Sequence, residues 1–249
     1  ALSLTDKIDT LVGFFGINQK PTSSKDPYAI RRTALGVIRI LIENNKELKV
    51  KDLINYSIGL HQEQNFKFIN DSTQRDVIDF LMDRLKFYMK EKKIRHDIIE
   101  ASTHSFNVDQ LVATYKKATS LNKIINNDLG QGIISSYKRA SNILENELRN
   151  NDIELSNRAD PGIFSNEFEV NLLKKISELS KYFSNINKDE NYDQSLINLS
   201  HAKNVIFDFF DNVKVNDDDQ NIKKNRLELL QMLCKTFDNY IKFSVIESN

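Results

Sequence analysis

Hydrophobic positions recur along this chain in steps of three and four almost throughout, the spacing that gathers side chains on one face of an α-helix. The longest example is Val77, Ile78, Leu81, Met82, Leu85, Tyr88 and Met89, which predicts a helix over 73–92. Asp71, Ser72 and Thr73 precede it as start signals, and Gln74 stands three residues after Asp71, where it could complete a capping box. A second helix reads from Asp26-Pro27, an N-cap followed by proline at the first helical position, through Arg31, Leu35, Ile38 and Leu41 to Glu43. Leu4, Ile8, Leu11, Val12 and Phe15 predict an opening helix, followed by a loop over 16–24. Shorter helices are expected over 51–64, 97–103 and 108–126.

The pattern stops at Asn126-Asn127-Asp128-Leu129-Gly130, which suggests a boundary between two halves, 1–128 and 129–249. Beyond it, helices are predicted over 133–148, 167–183 and 192–212, with a loop around Pro161-Gly162 and a polar connector over 185–191. A last helix follows Asp217-Asp218-Asp219, its buried stripe formed by Leu227, Leu230, Leu233, Cys234, Phe237 and Ile241. Acidic residues suit the positive end of a helix dipole, so the aspartate tract reads as a cap and not as a cation site. No unit repeats at a fixed period, which argues against a solenoid.

Composition narrows the fold class. The 249 residues allow one large domain or two of ordinary size. Seven Gly and three Pro are too few for the turns of a many-stranded sheet or for a phosphate-cradling loop. The expectation is an all-α chain of two helical domains. Its 35 basic residues balance its 35 acidic ones, so any nucleic acid would have to meet a local basic face. The halves differ: 20 basic against 16 acidic residues in 1–128, and 15 against 19 in 129–249. A lone cysteine, a polar opening segment and no apolar run near the ~20 residues that span a bilayer point to a cytoplasmic protein with no membrane partner. The absence of an initiator Met suggests that the chain begins inside a longer protein.

Catalytic constellations are missing. His61, His96, His104 and His201 form no i, i+4 metal pair, one cysteine builds no thiolate site, and no nucleophile elbow or nucleotide fingerprint occurs. Neither catalytic residues nor a metal site are expected. His96-Asp97 is the dipeptide at the heart of metal-dependent phosphohydrolases. It stands just before Ile98-Ile99, however, where Asp97 suits the N-cap of the next helix.

What remains are groups that grip anions. Lys25, Arg31 and Arg32 cluster beside the hydroxyls of Thr22-Ser23-Ser24. Lys138, Arg139 and Asn142 share the polar side of a helix whose Ile143 and Leu144 face inward, and Arg and Asn suit phosphates and base edges. Arg226 lies among Lys223 and Lys224 in the first turns of a helix, where it opposes the dipole. That placement calls for an external anion or for internal partners such as Asp208 and Asp211.

At these residues the chain resembles a known family. Leu4 to Gly13, Lys20 to Arg32 and Ala34-Leu35-Gly36 closely resemble the β subunit of bacterial glycyl-tRNA synthetase, the α2β2 type. Lys138 to Leu144, Phe209-Phe210-Asp211-Asn212-Val213 and Asn225-Arg226-Leu227 with Leu229-Leu230 look like that subunit's helical anticodon-binding domain, the DALR type. The family usually has Gly at Ser23, Phe at Tyr28, Leu at Ile30, Asp at Phe207 and an apolar residue at Lys214. The resemblance implies the C-terminal portion of the subunit. Residues 1–128 would be the end of an HD-like domain plus a helical body, with Asp6 or Asp9 where the last HD aspartate falls, and 129–249 would be the anticodon-binding bundle. It further implies glycine tRNA and the synthetase α subunit as partners. ATP and Mg would be used by the holoenzyme, on the α subunit, and no cofactor by this portion. Lys25, Arg31, Arg32, Lys138, Arg139, Asn142 and Arg226 are then the expected tRNA-binding residues. The rival expectation is a helical scaffold that holds subunits together without touching RNA.

Overall fold

A computed structural model describes residues 1–22, 24–104, 110–150, 153–185 and 191–247, and all of their regular secondary structure is helical. In chain order the α-helices are α1 (Leu2–Gly16), α2 (Ile30–Glu43), α3 (Val50–Glu63), α4 (Thr73–Glu91), α5 (His96–Thr103), α6 (Leu111–Ile124), α7 (Asp128–Asn150), α8 (Glu167–Ser184), α9 (Tyr192–Ser200), α10 (Lys203–Asn212) and α11 (Gln220–Asp238). Short 3-10 turns stand at Pro161–Ile163 and Phe243–Val245. The expected helical residues at 108–109 and most of the polar connector, 186–190, lie outside the described residues, as does Ser23.

The chain divides into two compact units, Ala1–Ala118 and Thr119–Asn249, and the division falls within α6. In the first unit α1 packs on α2, α3 and α4, while α4 also carries α2 and α5. Every apolar residue of the α4 stripe except Ile78 is buried, together with Leu11, Val12, Val37, Ile38 and Leu41 from α1 and α2. In the second unit α7 packs on α9, α10 and α11, and α8 on α10 and α11. Tyr137, Phe237 and Phe243 form an aromatic cluster there, with ring centroids 5.7–6.1 Å apart.

Four local expectations are corrected. Helix α2 begins at Ile30, because Asp26 caps it from a distance: its carboxylate accepts the N–H groups of Ile30 (2.8 Å) and Arg31 (3.1 Å). Pro27 and Tyr28 form the intervening turn, which closes through Ala29 at φ 53°. The capping box of α4 does not form: Gln74 reaches Asn55, and Asn70 accepts the Ser72 N–H at 3.0 Å. Asp97 is a first-turn residue of α5 and not its N-cap, since its carboxylate is held by the Arg95 guanidinium at 2.7 Å. The single helix expected over 192–212 is two. Ser200 Oγ donates to the Ile197 carbonyl and the Ala202 N–H takes the Leu199 carbonyl, so the helical ladder closes off there. The break lets α9 pack on α7 while α10 packs on α8 as well, which buries Leu196 and Leu199 together with Ile206 and Phe209.

Where the hydrophobic pattern halts, Asn127 starts α7 by accepting the N–H groups of Leu129 and Gly130. Glycine is required at 130, because a Cβ there would stand 2.1 Å from the Ile124 carbonyl oxygen.

Candidate functional site

The second unit has two arginine sites that differ in depth. Arg226 is 5% exposed, and its donors are engaged internally. Nε donates to Glu169 Oε1 at 2.8 Å, one terminal nitrogen to Asp217 (2.7 Å) and to the Lys214 carbonyl (2.8 Å), and the other to Ser165 Oγ (2.9 Å). Glu169 is fully buried and does two jobs. Its second oxygen accepts the N–H groups of Ser165 (2.8 Å) and Asn166 (3.2 Å), which closes a capping box at the start of α8. The backbone N–H of Asp219 and the Arg226 guanidinium together hold the Asp217 carboxyl below the usual aspartate range. Asp219 itself caps α11 through the N–H groups of Asn221 and Ile222. The aspartate tract thus caps the helix, as expected, and also serves Arg226. The partners expected for Arg226, Asp208 and Asp211, are not the ones it has.

The neighbouring loop is anchored in the same way. Glu228, also buried, accepts from Ser156 N (2.6 Å) and Arg158 N (2.9 Å), and Asn225 exchanges two hydrogen bonds with the backbone of Asp160. Lys223 pairs with Glu147 at 2.6 Å, an interaction that lowers the Glu147 pKa. The acidic excess of this unit, 20 acidic against 16 basic residues over 119–249, therefore lies partly inside it.

Arg139 lies on the face that α7 turns to α10. Its guanidinium sits 4.6 Å from the Phe210 ring centroid and 5.8 Å from that of Phe207, and Asp211 accepts from both terminal nitrogens at 3.3–3.4 Å. Lys203 Nζ stands 5.9 Å from the Phe207 centroid. The Lys203 stem crosses α7 at Gly132, where an added Cβ would come within 3.0 Å of it. Gly132 and Arg139 are seven residues apart, two helical turns on one face. Lys138 reaches the Ser244 carbonyl at 3.4 Å, and Asn142 is exposed. The helix pattern placed Lys138, Arg139 and Asn142 on the polar side of α7; it did not single out Lys203, Phe207 and Phe210, although Phe207 and Phe210 stand at i, i+3 after a lysine.

In the first unit Lys25 and Arg32 are exposed, whereas Arg31 folds back and donates to the Thr22 carbonyl. Thr22 and Lys25 close the turn, Thr22 N–H onto the Lys25 carbonyl (2.9 Å) and Lys25 N–H onto Thr22 Oγ1 (3.2 Å). The exposed ring of Tyr28 stacks on Phe14 at 4.5 Å. Of the two aspartates expected at the HD-like position, Asp9 stands 3.0 Å from Nε2 of His61, and Asp6 is exposed. His96 is exposed while Asp97 is buried. Among the described residues, no three His, Cys, Asp or Glu side chains form a metal-binding group, and no helix is long and apolar enough to cross a membrane.

Comparison with known proteins divides the chain in a similar way. Residues 1–104 match the family described as glycyl-tRNA synthetase beta subunit, and residues 133–247 match the DALR anticodon binding domain. Curated relatives include the glycine–tRNA ligase beta subunits of Rickettsia africae and Rickettsia conorii, each 39% identical over 243 residues, and that of Rickettsia typhi at 37%. The first two alignments cover 98% of this chain and 34% of the relative, so the chain spans about a third of the length of the curated relatives it matches.

Proposed function

We propose that this chain, which belongs to the glycyl-tRNA synthetase β-subunit family, is the tRNA-binding C-terminal portion of that subunit and recognises glycine tRNA by its anticodon arm for aminoacylation. The observation that carries the reading is the α7–α10 face: Arg139 and Lys203 lie against half-buried aromatic rings, within residues that match an anticodon-binding domain. Cations beside aromatic rings are the chemistry that holds phosphates and unpaired bases together. Lys138, Arg139 and Asn142 contact the RNA. Arg226, buried on its acidic partners, supports that surface from within.

In the portion over 1–128, the end of an HD-like domain with a helical body, Lys25 and Arg32 hold phosphates on a turn that Arg31 fixes. Activation of glycine with ATP and Mg belongs to the α subunit, the protein partner, and this chain supplies no catalytic residue and holds no cofactor. The assembly works in the cytoplasm. A filter-binding titration of the complete ligase with glycine tRNA tests the reading. Affinity should fall steeply with salt, because bound phosphates release counterions, and Arg139→Ala should weaken it. Affinity indifferent to salt and to Arg139→Ala would refute it and would leave a role in holding subunits together.

A further inference from the structure

The contacts of Arg139 point to more than a phosphate anchor. A guanidinium that serves only as a mobile point charge gains nothing from being pinned. Here the group is fixed on two sides. Its central carbon stands 4.6 Å over the Phe210 ring centroid, and Asp211 accepts from both terminal nitrogens. The Arg139 side chain still keeps 38% of its surface in solvent. The Asp211 contact neutralises part of the charge, which weakens Arg139 as a phosphate ligand while its planar group stays in reach of solvent. The Phe207 ring centroid lies 5.8 Å from the same guanidinium, and the exposed Lys203 ammonium stands 5.9 Å from that centroid.

Resting on the tRNA reading above, we infer that Arg139, backed by Phe210 and Phe207, is a stacking platform for one unpaired nucleobase, with Lys203 placed to meet the phosphate beside it. An aromatic base has a π-face whatever its identity, and arginine planes and phenylalanine rings both accept one. The platform binds a base in a loop and not in a duplex, since a paired base exposes no face. It contributes affinity with little sequence preference, because stacking engages the face of a base and not its edges.

The test uses the complete ligase and glycine tRNA carrying 2-aminopurine at single positions of the anticodon loop. A stacked 2-aminopurine is quenched, so one loop position should lose fluorescence on binding. Arg139→Lys keeps the charge and removes the plane. It should abolish that quenching and weaken binding roughly 5- to 150-fold, the range that base stacking commands, with the salt dependence unchanged. Lys203→Gln should do the reverse, retaining the quenching and lowering the salt slope by about 1. Phe210→Leu should mimic Arg139→Lys, provided its circular dichroism matches the parent. If it misfolds, the two surface variants decide the matter alone. Tight, salt-dependent binding with no quenched loop position, or with quenching that survives Arg139→Lys, overturns the platform while the tRNA reading stands. Failure of the unaltered ligase to bind glycine tRNA overturns both.

Discussion

Arg226 and Arg139 belong to one unit, and in the sequence both are basic residues beside polar neighbours on a helix. Their surroundings put the same guanidinium to opposite uses. Around Arg226, two carboxylates, a carbonyl and a hydroxyl take the donors in a place with almost no solvent. The desolvation cost of such a buried cation is several kcal/mol and is offset only while the partners stay in place. Around Arg139, a single exposed carboxylate and two nearby rings orient the group while water still reaches it. Exposed ion pairs contribute about 0–1 kcal/mol and exposed cation–π contacts about 0.5–1 kcal/mol, so this region orders a side chain without stabilising the unit much. The fold depends on the first arginine, and the second is left available to a ligand.

The contrast is sharpest where one partner is removed. Arg226→Met should leave Glu169 buried without its cation and cost about 3–5 kcal/mol, read as a lower urea midpoint; a loss under 1 kcal/mol would show that the network carries no stability. Next comes Glu228→Gln, which removes one of two acceptors from the N–H groups of the 156–158 loop and should cost about 1–3 kcal/mol by the same measurement. Arg139→Ala should change stability by about 1 kcal/mol at most while it weakens tRNA binding. Were it to unfold the unit as Arg226→Met does, the comparison between the two regions would collapse.

The smallest expected effects are those of pH. Asp217 has a lowered folded-state pKa, so its contribution is present above the ordinary value of 3.8 and is lost as pH falls through the lowered one. Asp217→Asn should flatten the decline of melting temperature on the acid side. Asp238 has the opposite sign, because burial raises its pKa. It favours the folded state below 3.8, and that advantage is lost as pH rises toward the raised value, so Asp238→Asn should remove a fall in stability above pH 4. Melting curves from pH 2 to 7 separate the two.

Helix periodicity made most of the fold legible. Apolar spacing located α1, α3, α4 and α8 to within about two residues, and the start of α11, because burial of a stripe is a local property of a helix. The break between α9 and α10 was not legible. Leu196, Leu199, Ala202, Ile206 and Phe209 continue one stripe across it, and only packing on α7 and α8 decides that the chain must turn. The candidate site divides in the same way. Lys138 and Asn142 follow from helix phase alone. The depth of Arg226 does not, because its partners Glu169 and Asp217 come from 57 and 9 residues away. An Asn-x-x-Glu capping signal at Asn166 and Glu169 was present in the sequence and marks that start, though not the second task that Glu169 performs.

By itself, then, the sequence determined an all-α chain, the stripes that become its core, its sparse glycine, and a family resemblance carried by linear motifs. All of these are properties of neighbours along the chain. Tertiary structure decided which cations are sealed and which are presented, because that depends on residues brought together from distant helices. Arg226 meets a buried carboxylate and Arg139 meets the face of a phenylalanine ring. Solvent access sets what each charge can do, and no linear pattern encodes it.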